Sequence, residues 1–136
     1  DRAKGMIPRV QLLLMLETLR YLIKGGRAPK VSGWIGEMLN VKPILWMSGD
    51  SGVLQPLARA RTKGKAMVRL VELAKEKLGG RKAALMLVHY AELVEDGERL
   101  KEMVSSQLDC AELYVTEFTP VMCAHTGPML GLSFYS

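Results

Sequence analysis

Apolar and polar residues follow two different periods along this chain, and each period predicts a different kind of element. Short apolar runs between glycine, proline or polar residues are typical of buried strands. Strands are therefore predicted in QLLLMLETL, in both arms of VKPILWMSGDSGVLQPLARA, and in AALMLVHY, AELYVTEF and MLGLSFY. Segments with apolar residues three and four positions apart are typical of amphipathic helices, and they separate several of these strands.

Two short helices are predicted before the hairpin. The segment ETLRYLIKGGR turns into a helix that Gly25 and Gly26 end, because glycine is the usual residue just past a helix C-terminus. Ser32 can cap the next helix, which runs through Leu39 with apolar residues at helical spacing.

Two longer amphipathic helices are predicted further along the chain. One opens at Thr62 and runs to about Leu78, where Gly79-Gly80 ends it. The other runs from Leu93 to Leu108. The buried stripe predicted for the first of these helices consists of Ala66, Met67, Leu70, Leu73, Ala74 and Leu78.

About six strands and four helices predict an α/β or α+β fold. The turn formers in Ser48–Gly52 join two strands as a hairpin, so the sheet should be mixed and largely antiparallel, with helices packed on it. A length of 136 residues with 49% apolar content is the size of one compact domain. We therefore expect residues 1–136 to form a single domain.

Charge favours a solvated surface over a nucleic-acid partner. The chain carries 19 Lys and Arg against 14 Asp and Glu, a net charge of +5, and many of the basic residues follow the predicted long helix. Such a pattern is usually a solvated helix face; an acidic protein partner comes next and nucleic acid last. No zinc-finger, helix-turn-helix or RNP-like pattern supports nucleic-acid binding.

The cysteines and the hydropathy predict a soluble, cytoplasmic protein. Cys110 and Cys123 fit neither a disulfide framework nor a zinc ligand set, which favours a reducing compartment. The longest apolar run is far short of the ~20 residues that a spanning helix needs, and no signal-peptide pattern is visible.

The two histidines are the candidates for chemistry. No phosphate-binding glycine motif, zinc-protease motif or nucleophile elbow occurs, and neither histidine has metal ligands at suitable spacing. His89 is predicted to be a partly buried histidine at a strand end, satisfied by a backbone group. His125 stands before Thr-Gly-Pro, in a predicted turn directly ahead of the last strand.

Several linked motifs occur in order from about Leu12 to Ser136. They are Leu-x-x-Leu-x-x-Gly-Gly-Arg at Leu19–Arg27, a Lys-Pro-Ile segment within Leu39–Leu45, a glycine turn at Gly49–Gly52, Arg61 before the basic helix, and His-x-Gly-Pro at His125–Pro128. In this order they resemble the C-terminal half of the DegV family of bacterial fatty-acid-binding proteins. Met129 stands where that family usually has glycine, so the turn after Pro128 must avoid a positive φ or bear strain.

The resemblance implies a two-domain protein in which a fatty acid lies between an N-terminal Rossmann-like domain, absent from this chain, and the present domain. In better understood members the protein presents its fatty acid to a separate kinase, which phosphorylates the carboxylate for phospholipid synthesis. The chain is then a lipid carrier without catalysis of its own, and its ligand is a fatty acid and not a cofactor. Alone, it should expose an apolar face that dimerises or takes up detergent.

The resemblance also implies roles for the residues of the His-x-Gly-Pro motif in the last loop. His125 would lie at the lipid head group, where a histidine donates a hydrogen bond to a carboxylate and can carry charge as phosphate is added. Thr126, Gly127 and Pro128 would shape the loop, with the Gly127 N–H facing the head group.

Two arginines and an apolar stripe complete the candidates. Arg27 follows Gly-Gly and either contacts the ligand or caps the preceding helix. Arg61 precedes a helix start, where a cation is electrostatically unfavourable, so we assign it to docking the kinase. The acyl channel would be lined by Ile35, Met38 and Leu39, with Ile44 and Trp46, although stripes at this spacing are also typical of a core.

Two other functional classes stay open on the residues alone. One is a small α/β enzyme that uses His125 as a general base, which a carboxylate or nucleophile within hydrogen-bond reach of the ring would favour. The other is a regulatory or scaffold domain whose basic helix recognises an acidic protein partner without lipid.

Overall fold

A computed structural model of the chain describes residues 1–26 and 41–136. These residues form one six-stranded sheet with helices on both faces. In chain order the elements are α1 (Arg2–Met6), a 3-10 turn (Ile7–Arg9), β1 (Gln11–Leu16), α2 (Arg20–Lys24), β2 (Lys42–Ser48), β3 (Gln55–Ala60), α3 (Lys63–Leu78), β4 (Leu85–Ala91), α4 (Val94–Gln107), β5 (Leu113–Glu117), α5 (Pro120–Thr126) and β6 (Met129–Tyr135). The helix predicted over Ser32–Leu39 lies outside the described residues.

The strands lie in the order β3-β2-β1-β6-β4-β5. Every neighbouring pair is antiparallel except β4 and β5, which are parallel because the α4 crossover returns the chain to the same edge. The predicted mixed, largely antiparallel sheet is confirmed, and so is the hairpin of β2 and β3.

One face of the sheet packs against α3 and α4. The Thr62 hydroxyl caps α3 by accepting from the Lys65 N–H at 3.2 Å, and Gly79 ends the helix in the left-handed conformation at φ 59°. All six residues of the predicted stripe are buried, together with Val71. The α3 prediction is therefore confirmed in its start, its end and its buried face.

The other face of the sheet is partly covered by α2 and α5. Its apolar cluster contains Leu14 and Leu16 of β1, which alternate with the helix-facing residues Leu13 and Met15. All four are buried, as expected for a central strand with helices on both sides. The cluster is completed by Leu19, Leu22, Leu45, Ala91 and Met129.

The short helix α5 is absent from the sequence prediction, which placed a turn around His125. Its start has two ordinary signals: the Thr119 hydroxyl accepts from the Met122 N–H at 3.4 Å, and Pro120 occupies the first position. Seven residues are too few for a clear helical period, so the helix is not visible in the sequence pattern; in the fold α5 packs against α2.

Candidate ligand-binding loop

Among the described residues, the topology brings His125, Thr126, Gly127 and Arg61 to one edge of the sheet, the edge formed by strand ends. The strand directions place the carboxyl ends of β1, β3 and β4 at the same edge as the amino ends of β2 and β6. The loop between α5 and β6 lies at this edge, and so does Arg61 after β3. The Glu17 N–H donates to the Pro128 carbonyl at 3.2 Å, which ties the end of β1 to that loop.

His125 lies in the last turn of α5, one residue before the helix ends. Its side chain is half-buried, and within residues 1–26 and 41–136 its ring has no hydrogen-bond partner. A polar ring held by a helix without an internal partner is available to a ligand. The carboxylate or nucleophile that the enzyme hypothesis requires beside this ring is not found among the described residues.

The two residues after His125 shape the loop through their own hydrogen bonds. Thr126 is 2% exposed, and its hydroxyl donates to the Gly127 carbonyl at 2.9 Å. The Gly127 N–H donates to the Cys123 carbonyl at 2.8 Å and closes α5. The expectation that this N–H faces the head group is therefore wrong, because the helix end already uses it.

Gly127 occupies a position that other residues do not tolerate. Its backbone has φ 67° and ψ −161°, a region that is essentially restricted to glycine. A Cβ placed on it would also lie 2.5 Å from Cδ2 and 2.6 Å from Cε2 of Tyr21. Conformation and close approach thus both require glycine here.

Met129 causes no strain in this loop. It begins β6, it is fully buried, and the only described residue other than glycine with a positive φ is Glu92. The prediction that the turn after Pro128 avoids a positive φ is confirmed. The left-handed step falls on Gly127 instead.

Sequence reasoning missed Tyr21 as a neighbour of this loop. Tyr21 lies on α2, within the Leu-x-x-Leu-x-x-Gly-Gly segment, and its ring packs against Gly127 while 43% of the residue stays exposed. A local signal existed, since an exposed aromatic residue stands one turn before Gly25. Nothing in the linear pattern indicates that it meets a residue near the end of the chain.

Charged pairs surround the same edge of the sheet. The Lys42 ammonium lies 2.6 Å from the Glu17 carboxylate, and the Lys63 ammonium lies 2.7 Å from Asp96, which is largely buried. The hydrogen bond from Lys63 to Asp96 holds the pKa of that ammonium above its ordinary value. The Lys63–Asp96 pair links the start of α3, two residues after Arg61, to α4, whereas the Lys42–Glu17 pair links β2 to the end of β1.

Arg61 itself is exposed, and no described residue forms an ion pair with it. Several other cations of α3 and its C-terminal end are engaged: Arg69 pairs with Glu72 at 3.1 Å, and the Lys77 ammonium lies 3.5 Å from the centre of the Trp46 ring. The basic helix therefore offers less unpaired charge to an acidic partner than its composition suggests.

The remaining candidates divide into two groups. Arg27, Ile35, Met38 and Leu39 lie outside the described residues. Ile44 and Trp46 belong to the core under α3, because they alternate along β2 with Leu45, which faces α2 and α5. Trp46 also donates from Nε1 to the Gln11 side chain at 2.6 Å. These two residues are core residues and do not line a channel on the α5 side.

His89 lies within β4, and its hydrogen-bond partner is not the expected backbone group. Its Nε2 lies 2.6 Å from the Ser133 hydroxyl of β6, and its ring centre lies 5.1 Å from that of Phe118. Burial lowers its pKa from 6.5 to about 4. The expectation failed because β6 pairs with β4: Gly131 lies opposite His89, and Ser133, two residues further along β6 on the same face, reaches the ring. A strand pairing of this kind is not visible in a single segment.

An open apolar groove of about 240 Å³ lies on the α5 side of the sheet, at the edge opposite the α5–β6 loop. Its lining consists of Met6, Val10, Leu85, Leu87, Ser133, Phe134 and Tyr135. Among the described residues, no group of three histidine, cysteine or acidic side chains could hold a metal ion. No described helix has both the length and the apolar character needed to cross a membrane.

A family model described as "Uncharacterised protein, DegV family" matches residues 1–136. The chain belongs to the DegV family. A DegV domain-containing protein of Clostridium acetobutylicum is 32% identical over 136 residues, which cover 99% of this chain and 48% of that protein. The chain thus spans about half the length of the curated relatives it matches.

Solved structures of DegV proteins have the same fold. A DegV family protein from Thermus thermophilus, described with its fatty-acid binding, is 28% identical with a TM-score of 0.82, covering 94% of this chain and 46% of that one. A stearic-acid-binding protein from Eubacterium ventriosum is 26% identical with a TM-score of 0.84, covering 97% and 46%. Both of these solved structures are described as fatty-acid-binding proteins.

Proposed function

We propose that this chain is the C-terminal lipid-binding half of a cytoplasmic bacterial fatty-acid carrier, which presents the carboxylate of a bound long-chain fatty acid to a separate kinase. The observation that carries the proposal is the half-buried His125 ring, which has no hydrogen-bond partner among the described residues, beside the glycine-only backbone of Gly127. The fatty-acid-binding DegV structures named above support the class of ligand.

Affinity and orientation have different sources in this proposal. Each buried methylene contributes about 0.8 kcal/mol, so a long acyl chain outweighs one or two charge-assisted hydrogen bonds of about 1.5–3 kcal/mol each. The apolar chain therefore supplies most of the binding free energy. His125 holds the carboxylate oxygens in one orientation, which matters for a phosphoryl acceptor.

The kinase would approach the same edge of the sheet. Arg61 is exposed there, and the Lys63–Asp96 pair fixes the helix start that follows it. A guanidinium without an ion-pair partner among the described residues, on a fixed backbone, suits an acidic surface of a partner protein. In this role Arg61 acts on complex formation and leaves the lipid site unchanged.

The exposed apolar groove on the α5 side suits a surface that another domain or a second copy covers. In the full-length protein an N-terminal Rossmann-like domain would cover this groove. In the isolated chain a second copy would cover it in a dimer. Association of this kind reduces the apolar surface in contact with water.

Native mass spectrometry of the natural full-length protein, purified from a bacterial host, tests the carrier function. We expect the protein to retain fatty acid of long chain length, and to release it on denaturation. A protein that copurifies without fatty acid and does not take up palmitate after delipidation would contradict the proposal.

A further inference from the structure

We propose that Tyr21 is a second head-group ligand, whose phenol hydroxyl donates a hydrogen bond to the fatty-acid carboxylate beside His125. The inference rests on the proposed function, and it adds a specificity-determining residue on a different helix. Its basis is the packing of the Tyr21 ring against the loop that follows His125.

The Tyr21 ring lies directly against Gly127. The Tyr21 atoms Cδ2 and Cε2 lie so close to the Gly127 Cα that any side chain there would overlap them. The hydroxyl oxygen is two bonds beyond Cε2, so it lies near the same loop. His125 is two residues before Gly127, in the last turn of α5. Tyr21 thus contacts the loop at Gly127, two residues after His125 in the chain.

The Tyr21 hydroxyl is available to a ligand. The residue is 43% exposed, and within the described part of the chain no group hydrogen-bonds with its hydroxyl. Tyr114 provides the contrast, since it is also exposed but its hydroxyl donates to the Glu112 carboxylate at 2.8 Å. Within the described residues, the Tyr21 hydroxyl is therefore an unused donor, whereas the Tyr114 hydroxyl on the outer strand β5 already has a carboxylate partner.

The chemistry of the two groups suits a carboxylate. An ionised carboxylate is an acceptor only, with two oxygens and about four lone-pair sites, so it accepts from a phenol and an imidazole together. A tyrosine hydroxyl donates at neutral pH without carrying charge, and its bond to an ionised oxygen is stronger than a neutral pair. An ester or alcohol lacks the ionised oxygen. Tyr21 should therefore favour free fatty acids over their esters.

The test uses Tyr21→Phe in the delipidated full-length protein, because phenylalanine keeps the ring against Gly127 and removes only the hydroxyl. Binding of palmitate and of methyl palmitate is measured by displacement of a fluorescent fatty acid. We expect palmitate to bind about tenfold to a hundredfold more weakly, the equivalent of one charge-assisted hydrogen bond. Methyl palmitate should bind as it does to the wild type. Tyr114→Phe is the matched control and should change neither affinity.

The outcomes separate this inference from the proposed function. If the wild type binds palmitate and Tyr21→Phe leaves that affinity unchanged, the role of Tyr21 is overturned and the carrier function stands. The same conclusion follows if Tyr21→Phe weakens the binding of palmitate and of methyl palmitate equally. A wild-type protein that binds neither compound overturns the carrier function and the role of Tyr21 with it. A selective loss for palmitate supports both.

Discussion

Replacing Gly127 by alanine should destabilise the protein through two separable effects. The backbone at φ 67° and ψ −161° costs about 1–3 kcal/mol for a residue with a Cβ. The new methyl would also meet the Tyr21 ring at 2.5 Å, a distance that real Cβ atoms do not show. Because Tyr21 is 43% exposed, its ring can move away toward solvent, so the backbone term should dominate the loss of stability.

Two other glycines provide matched controls for this substitution. Gly52 has φ 60° but no neighbouring atom within 4 Å of an added Cβ, so Gly52→Ala measures a backbone cost without overlap. Gly64 lies in the first turn of α3 with open space around it, and Gly64→Ala should stabilise the protein by less than the roughly 0.5–1 kcal/mol expected in a helix interior, because alanine is the better helix former. The free energy of unfolding in urea, measured for all three, gives the order Gly64→Ala, wild type, Gly52→Ala, Gly127→Ala.

The two effects at Gly127 can be separated in a double mutant. Adding Tyr21→Ala to Gly127→Ala removes the overlap and leaves the backbone strain, so the pair should recover only part of the loss. A Gly127→Ala protein as stable as the wild type would refute the strained-loop interpretation. Full recovery in the double mutant would instead assign the whole effect to the ring.

Three further predictions concern the histidines and Arg61. In the full-length protein, His125→Ala should weaken fatty-acid binding by at most about 1.5–3 kcal/mol. Acyl-phosphate formation by the kinase should fall by a larger factor. Undiminished acyl-phosphate formation would show that the His125 ring has only a structural role. Arg61→Ala should weaken kinase binding and leave lipid content unchanged, whereas loss of lipid with intact kinase binding would place Arg61 in the lipid site. His89 has a folded-state pKa of about 4, below its ordinary 6.5, so the unfolded chain binds the proton first. The free energy of unfolding should therefore be highest above pH 6.5 and should fall by up to about 3 kcal/mol as the pH decreases toward 4. A His89→Gln protein whose free energy of unfolding has the same pH dependence would contradict this.

The elements that the sequence predicts well are those with a strong local pattern. The α3 helix has a cap at Thr62, a repeating stripe and a terminal glycine, and each signal points to the same bounds. The strand MLGLSFY is confirmed from Met129 to Tyr135, because a seven-residue, largely apolar run with two aromatic residues, directly after a proline, favours a strand over a helix. Local consistency of this kind does not need long-range information.

The features that sequence reasoning missed depend on contacts between distant segments. The partner of His89 is Ser133, which the pairing of β4 with β6 brings onto the same face, diagonally across from the ring. The neighbour of Gly127 is Tyr21, more than a hundred residues earlier in the chain. The α5 helix is too short to show a period; Cys123 is its residue in the apolar cluster with Leu14 and Leu16, and Val121 and Met122 are exposed. The His-x-Gly-Pro motif therefore indicated the loop, but only the folded structure shows which residues lie around it.

The way this loop is held bears on what it can do for a bound carboxylate. The Gly127 N–H closes α5, the Thr126 hydroxyl donates to the Gly127 carbonyl, and the Pro128 carbonyl accepts from the Glu17 N–H. Each of these bonds uses a polar group of the loop internally, so the donors left over are side chains on helices. A ligand would then be oriented by rings whose backbones are already fixed, at little cost in conformational entropy. Such preorganisation matters more for presenting an oxygen to a phosphoryl donor than for retaining an acyl chain, since retention depends on buried apolar area and presentation on geometry.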